Sequence, residues 1–327
     1  MAERLVFLGM GGTIAGTGSK VGDNVGYTAA QLGVDALLAS VPGLQTALGS
    51  CLALTEQVCQ IDSKDLQHED WLALARRIIH YLSQPGMQGV VVTHGTDTLE
   101  ETAYFLDRVL PAALQKKPVV LTCAMRPASS LAPDGPTNLA DATHVALTPG
   151  ARGVMVVCAG KIHAATQVQK VHPYRVDAFD SGESGPVGVV EEGRVRFLSH
   201  WPELEGELAP PYLDALQQRG WPRVELLFNH AGASGAMVRS LLQNTMHAPA
   251  LAGIVVAGTG NGSIHKELET VLRMAQSQGV RVVRVSRCAY GQIVLAGAGS
   301  RSGEWEAYAL SAAKARIALM LDIAVAG

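Results

Sequence analysis

A chain of 327 residues is longer than one hydrophobic core usually supports, so two domains are expected. A composition of 48% hydrophobic and 17% charged residues with 35 glycines excludes a disordered chain and suits a turn-rich α/β enzyme. With 26 basic against 29 acidic residues, a net charge of -3 and no long run of one sign, the chain does not read as a nucleic-acid or anionic-membrane binder. A small-molecule partner is favoured.

Residues 5–8 form the first apolar run and read as a buried strand. The approach to this run reaches glycine too soon for a secretory signal, and no apolar stretch attains bilayer length. The expectation is a cytoplasmic protein, or a periplasmic one if a leader has been removed. The run delivers the chain into Gly9-Met10-Gly11-Gly12-Thr13-Ile14-Ala15-Gly16, where glycines permit a tight turn and close approach to a ligand. A dinucleotide fingerprint would want glycine or alanine where Ile14 stands, and the Gly-Lys-Ser/Thr of a phosphate loop is absent. A plain structural turn and a ligand loop presenting the Thr13 hydroxyl both remain open here. The further glycines Gly18, Gly22 and Gly26 suggest a loop that closes over a site.

Trp71, Leu74, Ala75, Ile78, Ile79 and Leu82 have helical spacing, predicting a helix over 66–82. A second strand, at 89–92, runs into His94-Gly95-Thr96-Asp97 and then a helix over 99–110, with Thr98 and Glu101 in a capping-box pattern. Such loops lie at the carboxyl edge of a parallel sheet, where Thr13 and Thr96 can share one crevice. By itself Asp97 reads as a helix N-terminal carboxylate and His94 as a structural partner of its loop.

Strands are predicted again at 118–122 and 153–157, and after a stretch rich in glycine, proline and charge at 182–211, at 224–228, 253–257 and 280–285. This alternation places an N-terminal domain at 1–190, a linker at 191–215 and a C-terminal domain at 216–327. The five cysteines, Cys51, Cys59, Cys123, Cys158 and Cys288, form no C-x-x-C pair and read as free thiols. His163 and His172 lack metal-ligand spacing, so no metal is expected.

Gly-Gly-Thr-Ile-Ala-Gly at 11–16 and His-Gly-Thr-Asp-Thr-Leu-Glu-Glu-Thr-Ala at 94–103 resemble the two signature motifs of bacterial L-asparaginases. Similar matches follow in order: Ala-Met-Arg-Pro at 124–127, Asp-Gly-Pro-Thr-Asn-Leu at 134–139, Gly-Asn-Gly at 260–262 and Lys-Ala-Arg at 314–316. The resemblance implies a larger N-terminal doubly wound, flavodoxin-like, mostly parallel sheet and a smaller C-terminal parallel α/β domain. It implies hydrolysis of L-asparagine without a cofactor, through an acyl-enzyme on Thr13. Tyr27 then sits beside the nucleophile on a mobile lid, and Thr96, Asp97 and Lys170 form a second catalytic group. Lys170 serves as a base only where its surroundings favour the neutral amine.

Gly12, Asp62, Ser63, Lys64, Gly95, Ala124 and Asn261 are the implied substrate-binding residues. Ser63 would hold the α-carboxylate, Asp97 the α-ammonium, and Asn261 would come from a neighbouring subunit of a homotetramer built from two intimate dimers. Two departures stand out. Lys64 replaces the family's usual glutamine, so it points away, pairs with a carboxylate or changes substrate preference. Val294-Leu295-Ala296-Gly297-Ala298-Gly299 lacks the family glutamate, and Glu304 and Glu306 lie too far along to replace it. Both departures predict relaxed recognition of the α-ammonium and a high Michaelis constant. The alternatives are a glutaminase-asparaginase, since one methylene changes binding by only about 1 to 3 kcal/mol, and a non-catalytic small-ligand binder.

Overall fold

A computed structural model describes residues 2–18, 20, 22–202, 211–243, 249–295 and 305–326. The chain divides into two compact units, Met1–Ala209 and Pro210–Gly327. The strands of the first unit are β1 (Arg4–Gly11), β2 (Thr17–Gly18), β3 (Tyr27–Thr28), β4 (Leu52–Ile61), β5 (Met87–Thr93), β6 (Pro118–Thr122), β7 (Gly153–Cys158), β8 (Lys161–Ala164), β9 (Gln169–Lys170), β10 (Phe179–Asp180), β11 (Gly188–Glu191) and β12 (Arg194–Phe197).

Eight of them form one sheet in the order β12-β11-β8-β7-β6-β5-β1-β4. β4, β1, β5, β6 and β7 pair in parallel, and β8, β11 and β12 extend the far edge antiparallel. Counted along the chain, the parallel strands run second-first-third-fourth-fifth. That is the flavodoxin-like doubly wound order, in which ligands bind at the carboxyl ends of the strands where the order reverses. Here the reversal falls between β1 and β5, which pair Gly9 with Thr93 just before the two threonine loops.

Residues 5–8 and 90–92 are wholly buried, as expected of central strands covered on both faces. Each predicted apolar run in this unit lies on a strand. β4 has no such run because it is an edge strand, and its apolar residues are interrupted by Thr55, Glu56 and Gln57. The helix predicted over 66–82 spans His68–Leu82, beginning where the Gln67 N–H donates to Asp70 Oδ2 at 2.8 Å. The helix after the second threonine loop spans Leu99–Val109, but its expected capping box is absent: the Thr98 hydroxyl donates instead to Ser63 O at 2.9 Å.

Within the span expected as a linker, 191–215, residues 194–197 form a strand of the large sheet. Glu192 and Gly193, with φ of 49° and 70°, close a two-residue turn that pairs Glu191 with Arg194 and adds β12 to the sheet. A helix, Tyr212–Arg219, then starts before residue 216.

The second unit carries β13 (Arg223–Phe228), β14 (Leu251–Gly258), β15 (Arg281–Ser286) and β16 (Glu306–Ala307), all parallel and in that order. The run predicted at 280–285 is shifted by one residue. Alternate residues of β14 face opposite ways: Ile254 and Val256 pack with the helix Lys266–Ser277, Val255 and Ala257 with the helix Ala312–Ala326. Among the described residues no helix is long and apolar enough to cross a membrane.

Candidate active site

β1 ends in Gly11 and is followed by Gly12, whose φ of 92° and 82° lie in the left-handed region that glycine alone adopts freely. The chain then turns into the 3-10 helix Thr13–Ala15. A Cβ on Gly12 would overlap the backbone of Gly95, and one on Gly95 would come within 2.7 Å of Ser63 Cβ. The loops after β1, β4 and β5 therefore touch through glycines, and no side chain larger than hydrogen fits between them.

The buried Thr13 hydroxyl lies 2.7 Å from the Tyr27 hydroxyl. Tyr27 arrives on the small hairpin β2–β3, opposite Gly18. Its ring lies over Gly16, where a Cβ would come within 2.8 Å of Tyr27 Cδ2. Ser129 Oγ accepts from Gly18 N at 2.7 Å, and Gly16 O accepts from Ala128 N at 2.9 Å, so both ends of the first hairpin strand are tied to the 128–129 segment. Asp23 Oδ1 accepts from the N–H groups of Val25 and Gly26, which holds its carboxyl below the usual range.

The second group forms across the sheet's carboxyl edge. Lys170 Nζ donates to Thr96 Oγ1 at 2.9 Å and to Asp97 Oδ1 at 2.7 Å. The Lys170 side chain is 17% exposed, that of Asp97 52%. Ser63 is buried and its Oγ accepts from Asp97 N at 3.2 Å, which leaves the hydroxyl its own proton to donate. Lys64 pairs with Asp62 at 3.0 Å and Asp65 at 2.7 Å, which realises the carboxylate-paired alternative among the three readings of this cation. Those carboxylates raise its ammonium's pKa, Asp65 first.

Ala124 is buried at the end of β6, and the turn after it is held by Asp134, whose carboxylate accepts from Met125 N and Arg126 N at 2.9 Å each. Thr13, Tyr27, Gly12, Gly95, Asp62, Ser63, Lys64, Thr96, Asp97, Lys170 and Ala124 all belong to the first unit. Asn261 belongs to the second, where its side-chain amide clasps the Val294 backbone through bonds of 2.9 Å and 2.7 Å. Residues 296–299 of the stretch that lacks the family glutamate, and Glu304 beyond it, lie outside the described residues.

Sequence reasoning missed a buried relay behind Thr96. The Trp71 indole N–H donates to Thr102 Oγ1 at 2.8 Å, and Thr102 Oγ1 lies 2.9 Å from His94 Nε2. His94 Nδ1 lies 2.7 Å from Gly95 O, which can only accept, so Nδ1 carries the proton. Complete burial lowers the His94 pKa to about 4, so the ring is neutral and Thr102 donates to Nε2. Only the shared presence of His94 and Thr102 in the second motif hints at this, because Trp71 comes from another helix. Among the described residues no cluster of three or more His, Cys, Asp or Glu side chains is arranged to hold a metal ion.

Two family models match the chain: the N-terminal asparaginase domain over residues 4–203 and the glutaminase/asparaginase C-terminal domain over 223–325. A glutaminase-asparaginase from Pseudomonas fluorescens biotype A is 35% identical over 98% of this chain and 86% of its own length. L-asparaginase 2 of Escherichia coli is 35% identical over 88% of this chain and 78% of its own. The crystal structure of a probable cytoplasmic L-asparaginase from Campylobacter jejuni superposes with a TM-score of 0.87 at 36% identity, covering 98% of this chain and 95% of that one.

Proposed function

The chain belongs to the asparaginase family, and we propose that it hydrolyses L-asparagine to L-aspartate and ammonia with Thr13 as nucleophile. The observation that carries this reading is the contact between Gly12 and Gly95, which brings the Thr13–Tyr27 pair to the group formed by Thr96, Asp97 and Lys170. Thr13 Oγ1 bonds to the side-chain amide carbon as its proton passes to the Tyr27 oxygen, 2.7 Å away, and the Tyr27 hydroxyl gives up its own proton in the same step. The C–N bond then breaks, and the nitrogen takes up the proton released by Tyr27 and leaves as ammonia. Water adds to the acyl-enzyme, the bond to Thr13 Oγ1 breaks, and aspartate is released with the threonine hydroxyl restored. Lys170, bonded to Thr96 Oγ1, is the acid–base partner on the Thr96 side of the substrate.

Asp97 offers its second carboxylate oxygen to the α-ammonium, and the Ser63 hydroxyl donates to the α-carboxylate. Because residues 294–299 lack the family glutamate, α-amino recognition is relaxed and the Michaelis constant is high, while the Lys64 ammonium is compensated by Asp62 and Asp65. Glutamine turnover is the second reading, favoured by equal 35% identity to a glutaminase-asparaginase and to an L-asparaginase. Asn261 completes the site from a neighbouring subunit of a homotetramer. The five free cysteines suit a cytoplasmic location.

Ammonia release is measured with L-asparagine, L-glutamine, D-asparagine and succinamate on the wild type and Thr13→Ala. Turnover of L-asparagine that falls on the order of 10⁴-fold or more in the variant is expected. Undiminished turnover in Thr13→Ala sinks the mechanism. Comparable rates on succinamate mean that the α-amino group is not recognised, whereas a micromolar Michaelis constant for L-asparagine removes the relaxed-recognition reading. Light scattering that finds an active monomer overturns the shared site.

A further inference from the structure

Lys170 sits on β9, which among the described residues pairs only with β10, and these two short strands form a sheet of their own. A lysine side chain has four rotatable bonds, so its ammonium is placed to a fraction of an ångström only if the backbone that carries it is fixed first. That backbone has a specific anchor. Glu100, in the first turn of the helix Leu99–Val109, is buried, and its Oε2 accepts from the Lys170 backbone N–H at 2.5 Å across 70 residues of sequence.

We propose that Glu100 is a positioning residue for the reaction: it holds the Lys170 backbone so that Nζ reaches Thr96 and Asp97. The inference rests on the asparaginase reading above. A buried carboxylate is costly unless hydrogen-bonded, and here it is bonded to an N–H group and placed at a helix N-terminus, whose dipole favours the anion. The same helix start supplies the other anchors, because Thr96 and Asp97 lie four and three residues before Glu100. One short segment therefore grips Lys170 at both ends, by its amide through Glu100 and by its ammonium through Thr96 and Asp97. The carboxylate's task is to accept from an amide, so a glutamine, whose Oε1 accepts in the same way, does the same work without the charge.

The experiment compares Glu100→Ala, Glu100→Gln, Lys170→Met and the double variant Glu100→Ala/Lys170→Met. Thermal melts confirm that each is folded. Glu100→Ala is expected to lower kcat about 10- to 100-fold with KM changed less than about threefold, and Glu100→Gln to recover all but a few-fold. The double variant is expected to be no slower than Lys170→Met alone, because a residue that acts through Lys170 has nothing left to position. In parallel, the free enzymes are labelled with acetic anhydride and acetylation of Lys170 is followed by mass spectrometry. Alanine at 100 speeds labelling of Lys170 several-fold relative to Lys117, and glutamine does not. Multiplicative losses in the double variant, a KM rise equal to the kcat fall, or unchanged Lys170 labelling in Glu100→Ala would each overturn the proposal. If the wild type releases no ammonia from L-asparagine, the proposed reaction fails, while the labelling comparison still decides what Glu100 holds.

Discussion

Thr13 finds its partner 14 residues away on the hairpin that follows it, whereas Thr96 finds Lys170 across 74 residues and two separate sheets. The first pair is local, joined by one hydroxyl–hydroxyl contact and tied down through Ser129. The second is an assembly that needs β5, the helix Leu99–Val109 and the β9–β10 hairpin to be in place together. A local pair can change without disturbing the sheet. A long-range group cannot be loosened without loosening the hairpin that supplies its lysine.

Lys170→Met separates the two groups most sharply. It removes the ammonium from both Thr96 and Asp97 and leaves Thr13–Tyr27 intact, so kcat is expected to fall on the order of 10³-fold. Tyr27→Phe removes only the proton acceptor beside Thr13, with an expected loss on the order of 10²-fold and no change in melting temperature. If Tyr27→Phe lowers stability as much as Lys170→Met does, the contrast between a local and a long-range group is wrong.

Gly12→Ala attacks the point where the two loops meet. A methyl group there overlaps the Gly95 backbone and sits at a φ of 82°, so urea unfolding should show a loss of about 2 to 3 kcal/mol together with reduced activity. An alanine variant of wild-type stability would mean that the loops do not touch.

The effect most spread out along the pH axis concerns His94. Its folded pKa is lowered to about 4 from 6.5, so below 6.5 the unfolded chain binds a proton that the native ring refuses. The stability contributed by the neutral ring is present above 6.5 and is lost as pH falls toward 4. In urea unfolding, the difference between wild type and His94→Gln should shrink by up to about 1.4 kcal/mol per pH unit below 6.5. A difference that stays constant with pH shows that the ring takes up its proton alike in the native and unfolded chain.

Much of this molecule is legible in one dimension. Strands covered on both faces must be continuously apolar, which is why the runs at 5–8, 89–92 and 118–122 could be placed without any contact being known. The glycines at 11, 12 and 95 likewise mark where backbones must bend or touch. Edge strand β4 and the hairpin that carries β12 left no such trace, because an exposed edge tolerates polar residues and a Glu-Gly turn resembles any loop.

The tertiary structure alone decided the pairings that cross the sheet. Nothing about Glu100 beside Glu101 says that the first is buried on the Lys170 amide, nor that Trp71 reaches Thr102 from another helix. Nor does the sequence say which of its alternatives Lys64 takes, since its carboxylate partners are fixed only once the turn at Ser63–Asp65 folds. Hydrophobic pattern and glycine are properties of a position and survive in the sequence. A hydrogen bond is a property of two positions, and it exists only where the fold brings them within about 3 Å.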